Sequence, residues 1–139
     1  KNKYFNFIIK QSNISENKKN HTLRGFHYQE RPHGEDKIIT CIQGKIHNIV
    51  IDMRKKSKTY MMWKSFNLSQ KNRLVLFVPK GCANAYLTLK ENTWVLYFHS
   101  QFYKKGSEKS IKYNDPKFSF NWPCKPKVIS TKDNSIKFL

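Results

Sequence analysis

Short runs of β-branched and aromatic residues, separated by turn-forming segments, constrain the fold of this chain most strongly, because no amphipathic pattern of helix length accompanies them. The first two runs flank Gly44 and predict a hairpin closed around that glycine. Repeated short strands at this spacing predict an all-β, antiparallel sandwich or barrel, of which the jelly roll is one closed solution. The predicted strands are residues 38–42, 46–53, 61–68, 74–78, 83–89 and 94–103.

The chain has 139 residues, enough for one domain that buries a core without disulfide or metal staples. It contains no internal repeat and no linker composition, so residues 1–139 are expected to form a single domain. From Asn114 onward, several Pro-containing pairs predict an ordered but irregular segment. This segment is expected to end in a short helix over residues 134–138, which Asp133 could cap.

The sequence contains no run of about 18 apolar residues, so no membrane span is expected. Residues 1–7 lack the apolar region of a signal peptide. The three cysteines, Cys41, Cys82 and Cys124, are widely spaced and form no CxxC pair, which fits neither a disulfide framework nor a zinc ribbon. A cytoplasmic protein with reduced thiols is therefore expected.

The balance of 27 Lys plus Arg against 9 Asp plus Glu gives a formal net charge of +18, which raises the hypothesis of nucleic-acid binding. Only four of these cations are Arg, the residue that base reading and bidentate phosphate binding favour, and the Lys residues are scattered along the chain. No nucleic-acid partner is therefore expected. A strongly positive field also attracts anionic small molecules such as nucleotides.

Several segments carry side chains that could perform acid–base chemistry. The segment LRGFHYQ places Arg24 and His27 close together, and strand alternation puts Tyr97 on one face with His99. A catalytic dyad between His27 and the remote Asp133 is one hypothesis, because a carboxylate can orient an imidazole. The alternatives are a surface histidine at position 27, simple core packing of Tyr97, and helix capping by Asp133.

A metal site is not expected from the sequence. Metal-binding jelly rolls carry an HxH pair with a nearby Glu, and a further His after a PxG turn. This chain has no HxH, and Asn84 occupies the position after its Pro79–Gly81 turn.

Taken in order and spacing, these segments resemble dTDP-4-dehydrorhamnose 3,5-epimerase and the related nucleotide-sugar epimerases. The resemblance begins at an F-x-Q-x-N-x-S-like stretch and extends over nearly the whole chain. It covers residues 7–15, 23–29, 34–37, 44–46, 50–54, 79–89, 96–97, 103, 111–116, 122–123 and 130–139.

The resemblance implies a cupin-like antiparallel jelly roll, a double-sheet barrel, and an isomerase that acts without metal or cofactor. Its substrate would be a nucleotide-linked 4-keto-6-deoxy sugar, inverted at C3 and/or C5 through an enolate that is reprotonated from the opposite face. By the resemblance, His27 is the base paired with Asp133, and Tyr97 is the acid. Lys37 would stabilise the negative oxygen of the enolate.

The resemblance also implies the substrate contacts and the partners. Arg24 and Gln11 are expected to contact the substrate and its diphosphate, with Lys132 as a further contact, and Tyr103 is expected to stack on the nucleotide base. The partners implied are a nucleotide sugar and a second copy of the chain in a homodimer. The expected role is deoxysugar synthesis for a surface polysaccharide.

Two departures from the family pattern bear on these expectations. The family has His where this chain has Asn84, a substrate-contact position, and Asn cannot be protonated. The family also has a segment before the F-x-Q stretch, including a strand that crosses to the partner, and that segment is expected to be missing here. A non-catalytic cupin that binds a nucleotide sugar or glycan is therefore an alternative. It would be favoured if His27 and Asp133 lay beyond hydrogen-bond reach, or if side chains filled the pocket.

Overall fold

The structure, a computed structural model, describes residues 6–139 as ten strands and one helical turn. The elements are β1 (Gln11–Asn17), β2 (Thr22–Gln29), β3 (Lys37–Gln43), β4 (Lys45–Asp52), β5 (Trp63–Ser69), β6 (Val75–Val78), β7 (Cys82–Thr88), β8 (Thr93–His99), β9 (Glu108–Ser110), β10 (Val128–Ile129) and α1 (Thr131–Asn134). None of the helices in this part of the chain is long and apolar enough to cross a membrane.

The strands form two sheets. The first sheet has four strands in the order β1-β8-β3-β6, and the second has six, in the order β10-β2-β7-β4-β5 with β9 also paired to β2. Every pairing is antiparallel except that of β10 with β2. The predicted all-β class with two antiparallel sheets is therefore confirmed.

The predicted hairpin around Gly44 is wrong. Strand β3 pairs with β6 and β8 in the first sheet, whereas β4 pairs with β5 and β7 in the second. Gly44 is the corner at which the chain passes between sheets. It has φ +79°, and a Cβ there would overlap the side chain of Thr93. A hairpin turn and a corner both need glycine, so the local sequence does not separate them.

Two apolar clusters share the strands of the second sheet. One lies between the sheets and includes Ile39, Tyr86 and Val95. The other includes Phe26 and the outward side chains of β4 and β7, and the C-terminal segment packs over it. All seven residues of β7 are consequently buried. The C-terminal segment therefore covers the face of β4 and β7 that is turned away from the first sheet.

Several predicted boundaries differ from the structure. Strand β8 ends at His99, so Tyr103 lies in a loop, and β5 begins at Trp63 after a left-handed residue at Met61. The helical turn spans Thr131–Asn134 instead of 134–138, and its N-cap is Ser130, whose side chain accepts from the Asp133 backbone N–H. Asp133 therefore lies inside the helical turn, with its carboxylate available for another contact.

Candidate active site

A cavity of about 270 Å³ lies at one end of the two sheets. Three of its lining residues form a single row across the first sheet, because Gln11 pairs with His99 and His99 pairs with Lys37. His27 of β2 lines the cavity from the second sheet, where it is paired with Asn84 of β7. The complete lining is Gln11, Asn13, His27, Tyr28, Gln29, Glu35, Lys37, His99, Tyr103 and Glu108.

The imidazole of His27 is held from both sides. Its Nε2 lies 2.8 Å from Oδ1 of Asp133, an oxygen for which no other partner is found among the described residues. Its Nδ1 lies 3.0 Å from the Ser110 hydroxyl and 3.4 Å from Oε1 of Glu108. The remote pair proposed from sequence, His27 and Asp133, is thus in direct contact.

The local backbone of β2 explains how Asp133 reaches the site. The pairing of β2 with β7 is irregular between Arg24 and His27, and Gly25 in this bulge has φ +99°. The Gly25 N–H donates to Oδ2 of Asp133 at 3.3 Å. Burial disfavours the charged form of Asp133, but hydrogen bonding and the charge of His27 outweigh it and lower the pKa of this carboxyl.

Lys37 carries a buried ammonium beside the cavity. Its Nζ donates to Oδ1 of Asn84 at 3.2 Å and to the backbone carbonyl of His27 at 3.3 Å, and it lies 3.5 Å from Oε1 of Glu35. Burial lowers the pKa of Lys37, and the Glu35 carboxylate partly opposes that effect. Asn84 therefore accepts a hydrogen bond from Lys37.

Tyr97 is two residues before His99 on β8, faces the same side of the sheet and packs against the core. Its ring is stacked on His99 at 5.8 Å and tilted against Tyr86 at 6.4 Å. Burial, together with the nearby Tyr86, raises the pKa of Tyr97 well above its usual value. Tyr97 is not among the side chains that line the cavity.

The other predicted contacts occupy the rim and the surrounding layer. Arg24 is exposed and donates from Nε to Oδ1 of Asn17 at 2.7 Å. Tyr103 is exposed, and its backbone N–H donates to Oε1 of Gln11 at 3.1 Å. Lys132 donates to Oε2 of Glu108 at 2.5 Å, and this bond raises the pKa of Lys132.

Sequence reasoning missed seven polar residues that the fold brings to the site: Asn13, Tyr28, Gln29, Glu35, His99, Glu108 and Ser110. Strand alternation had already put His99 on the face of Tyr97, and Glu35 lies two residues before Lys37. Both were available as sequence signals.

The fold and the site together define a jelly-roll enzyme with an acid–base centre, because a histidine–carboxylate pair and a buried ammonium meet at one open cavity. Within residues 6–139, no group of three or more His, Cys, Asp or Glu side chains is placed to hold a metal ion.

Comparison with known proteins identifies the family. The family model for dTDP-4-dehydrorhamnose 3,5-epimerase matches residues 1–139, and the chain belongs to this family. It is 34 % identical over 130 residues to the dTDP-4-dehydrorhamnose 3,5-epimerase of Shigella flexneri, covering 93 % of this chain and 71 % of that protein.

Solved structures agree. The Bacillus anthracis dTDP-4-dehydrorhamnose 3,5-epimerase with TDP and PPi bound superposes with a TM-score of 0.93 at 32 % identity, covering 96 % of this chain and 76 % of that one. The Legionella pneumophila dTDP-6-deoxy-D-glucose-3,5-epimerase in complex with dTDP-4-keto-L-rhamnose gives 0.89 at 30 % identity, covering 95 % and 70 %. The predictions of the family, the cupin-like fold and a nucleotide-sugar epimerase are confirmed.

Proposed function

We propose that this protein inverts C3, C5 or both of a dTDP-linked 4-keto-6-deoxy sugar. The observation that carries the proposal is the 2.8 Å contact between His27 and Asp133 beside the cavity that Lys37 lines. The alternative of a non-catalytic cupin was tied to a separated pair or a filled pocket, and neither is found here. The choice of dTDP follows the names of the relatives and the nucleotides bound in their structures.

In the proposed reaction His27 removes a proton from the carbon beside the ketone. The ionised Asp133 stabilises the imidazolium that forms and fixes the orientation of the ring. The ammonium of Lys37 stabilises the enolate oxygen as negative charge develops there. A preorganised donor of this kind lowers such a barrier by about 3 kcal/mol.

Tyr97 would return a proton from the opposite face of the sugar, which requires the substrate to reach past the cavity lining toward the Tyr97 hydroxyl next to His99. Two features support this role: β8 belongs to the first sheet whereas His27 belongs to the second, and the raised pKa of Tyr97 keeps its hydroxyl protonated. The enolate would therefore lie between a base on one sheet and an acid on the other.

The remaining contacts are assigned by position. Gln11 lines the cavity and holds the backbone of Tyr103, whose exposed ring is free to stack on the nucleotide base. Arg24 and Lys132 would contact the diphosphate or the sugar, which for Lys132 requires release from Glu108. Asn84 would act on the substrate through Lys37 or by direct contact.

Residues 1–139 are proposed to act as one domain in a homodimer. The two apolar clusters share β4 and β7, which supports a single domain. The outer face of the first sheet carries Ile14, Leu96 and Val75 in one row, with Ile14 51 % and Val75 63 % exposed, and a second copy would cover this row. Sedimentation that shows only monomer at micromolar concentration would contradict the dimer. The cytoplasmic location stays a prediction.

The proposed reaction is tested by incubating the protein with dTDP-4-keto-6-deoxyglucose in heavy water and following deuterium at C3 and C5 by NMR. Exchange is expected at one or both carbons, and His27→Ala is expected to abolish it. Binding of the sugar nucleotide with no exchange would instead favour a non-catalytic cupin. Absence of both exchange and binding would contradict both functions.

A further inference from the structure

Four polar side chains form a continuous chain of contacts along the first sheet at the cavity. The Nε2 of His99 lies 2.7 Å from Oδ1 of Asn13, and its Nδ1 lies 3.0 Å from Oε2 of Glu35. The other oxygen of Glu35 lies 3.5 Å from Nζ of Lys37. The series Asn13, His99, Glu35 and Lys37 is called the polar row below.

The Glu35 carboxylate is buried between two basic groups. Its side chain is 9 % exposed, and those of Lys37 and His99 are 8 % and 13 % exposed. A buried charge is costly unless it is paired, and Lys37 and His99 both lie at pairing distance from this carboxylate. Both ring nitrogens of His99 lie within hydrogen-bond distance of an oxygen, Nδ1 of Oε2 of Glu35 and Nε2 of Oδ1 of Asn13. The Glu35 carboxylate therefore contacts both Lys37 and His99.

Among the contacts of Lys37 given above, the one with Glu35 is the contact with a charged group. Its two hydrogen-bond acceptors, the Asn84 amide and the His27 carbonyl, are neutral. Within residues 6–139, Glu35 is the carboxylate found at ion-pair distance from Lys37, whereas Glu108 acts on it from farther away. An unscreened buried ammonium with neutral acceptors alone would lose its proton readily.

We propose that Glu35 is a positioning residue that keeps Lys37 cationic and directed at the cavity. His99, held by its contact with Asn13, competes with Lys37 for the Glu35 carboxylate. The enolate-stabilising role of Lys37 rests on the proposed function, but its charge state does not. Through the polar row, His99 can affect the charge of Lys37 without touching the carbons that react.

Other titratable groups face the polar row and share its field. His27 of β2, Glu108 of β9 and the phenols of Tyr28 and Tyr103 line the same cavity, and Tyr97 lies below His99 on β8. The test therefore has to report on Lys37 itself.

The direct test is an NMR titration of the Lys37 ¹³Cε resonance in the whole protein, assigned by its loss in Lys37→Met. In Glu35→Gln the titration is expected to move to lower pH by about one unit or more, equivalent to a tenfold change in the proton affinity of Lys37. In His99→Gln it is expected to stay or move to higher pH, because a side chain that competes with Lys37 for the Glu35 carboxylate has been removed. An unchanged midpoint in Glu35→Gln, or an equal downward shift in His99→Gln, would overturn the proposal.

Matched variants separate charge from packing. Glu30→Gln removes the same charge from an exposed pair with Lys109 at 3.7 Å, and it is expected to leave the Lys37 titration unchanged. Glu35→Asp keeps the carboxylate and is expected to restore most of the midpoint. A shift in Glu30→Gln as large as that in Glu35→Gln would show a long-range charge effect and contradict the specific role of Glu35.

The activity readout distinguishes this inference from the proposed function. In Glu35→Gln the alkaline limb of the deuterium-exchange profile is expected to move to lower pH with the Lys37 midpoint, so that the loss relative to the wild type is larger on the alkaline side than on the acid side. A uniform loss at every pH would indicate a merely structural role and overturn the proposal. If the wild type exchanges no deuterium, the proposed function fails, yet the NMR titration still decides the role of Glu35.

Discussion

The Nζ of Lys37 donates to Oδ1 of Asn84 at 3.2 Å, so Asn84 is part of the site that holds the ammonium. Asn84 is 6 % exposed and lies opposite His27 in the pairing of β2 with β7. A neutral amide at this place holds the ammonium without contributing a titrating group.

Replacing Asn84 by histidine is expected to change the balance between the two reaction centres. A histidine can donate or accept a proton beside Lys37, whereas the amide only forms hydrogen bonds. Asn84→His should change the ratio of deuterium exchange at C3 and C5 by about tenfold, equivalent to about 1.4 kcal/mol in relative barrier. The ratio is measured by NMR on one sample. The same ratio in both proteins would show that position 84 does not select the centre.

Removal of the charge on Asp133 is expected to slow deuterium exchange strongly, although the side chain keeps nearly the same size and shape. Asp133→Asn leaves the site filled but no longer stabilises the imidazolium of His27, so the exchange rate should fall by about 10²- to 10⁴-fold. The rate of deuterium incorporation at saturating substrate measures this loss. Asp115→Asn alters another buried carboxyl, outside the cavity, and serves as the control. Equal losses in the two variants would argue against a dyad.

The Tyr103 ring is expected to contribute to nucleotide affinity through stacking. It is 55 % exposed at the cavity rim, so removing it should leave the free energy of unfolding nearly unchanged. Tyr103→Ala is expected to weaken dTDP binding by about 1–3 kcal/mol, whereas Tyr103→Phe keeps the stacking face and should bind almost as well as the wild type. Calorimetry with dTDP measures both. Similar losses in the two variants would point to the hydroxyl instead of the ring.

Gly25 is expected to be required for both stability and activity. A Cβ at this position would lie 2.6 Å from the Asn84 carbonyl oxygen at φ +99°, so Gly25→Ala has to distort the bulge that presents the N–H to Asp133. We expect a loss of about 3 kcal/mol in the free energy of unfolding, together with slower exchange. Gly106 has φ +90° with nothing within 4 Å of such a Cβ, and Gly106→Ala should cost about 1 kcal/mol. Urea unfolding compares the two, and equal costs would exclude a steric role.

Asp52 is expected to make stability depend on acid pH. It accepts from Nε and a terminal nitrogen of Arg54, both at 2.8 Å, and from the hydroxyls of Ser57 and Thr59, both at 2.6 Å. The hydrogen bond from Arg54 is the largest contribution that lowers the pKa of Asp52, with further ones from Ser57 and Thr59.

Because the folded-state pKa of Asp52 lies below the unfolded value, its contribution is fully present above the unfolded pKa, about 4, and is lost as pH falls. Asp52→Asn should therefore cost about 2 kcal/mol at pH 7 and progressively less toward pH 2. Urea unfolding across this range measures the difference, with the exposed Glu91→Gln as control. A cost independent of pH would contradict this account.

The local residue pattern was sufficient for the fold class and the family. Alternating apolar side chains reveal strands because side chains on a strand point to opposite faces, and the six predicted strands correspond to β3 through β8 of the ten described. Strand β1 was not predicted, because it lies at the edge of its sheet and its sequence is mostly polar and exposed.

The linear sequence by itself determined which chemical groups are available: a histidine, a carboxylate, a lysine and a tyrosine in a recognisable order. Only the tertiary structure decided that Gly44 is a corner between sheets, that Asp133 meets His27, and that Glu35 and His99 join Lys37 at the cavity. The physical reason is that strand register and sheet crossing bring together residues far apart in the chain. These contacts depend on pairing between strands, which no local periodicity specifies.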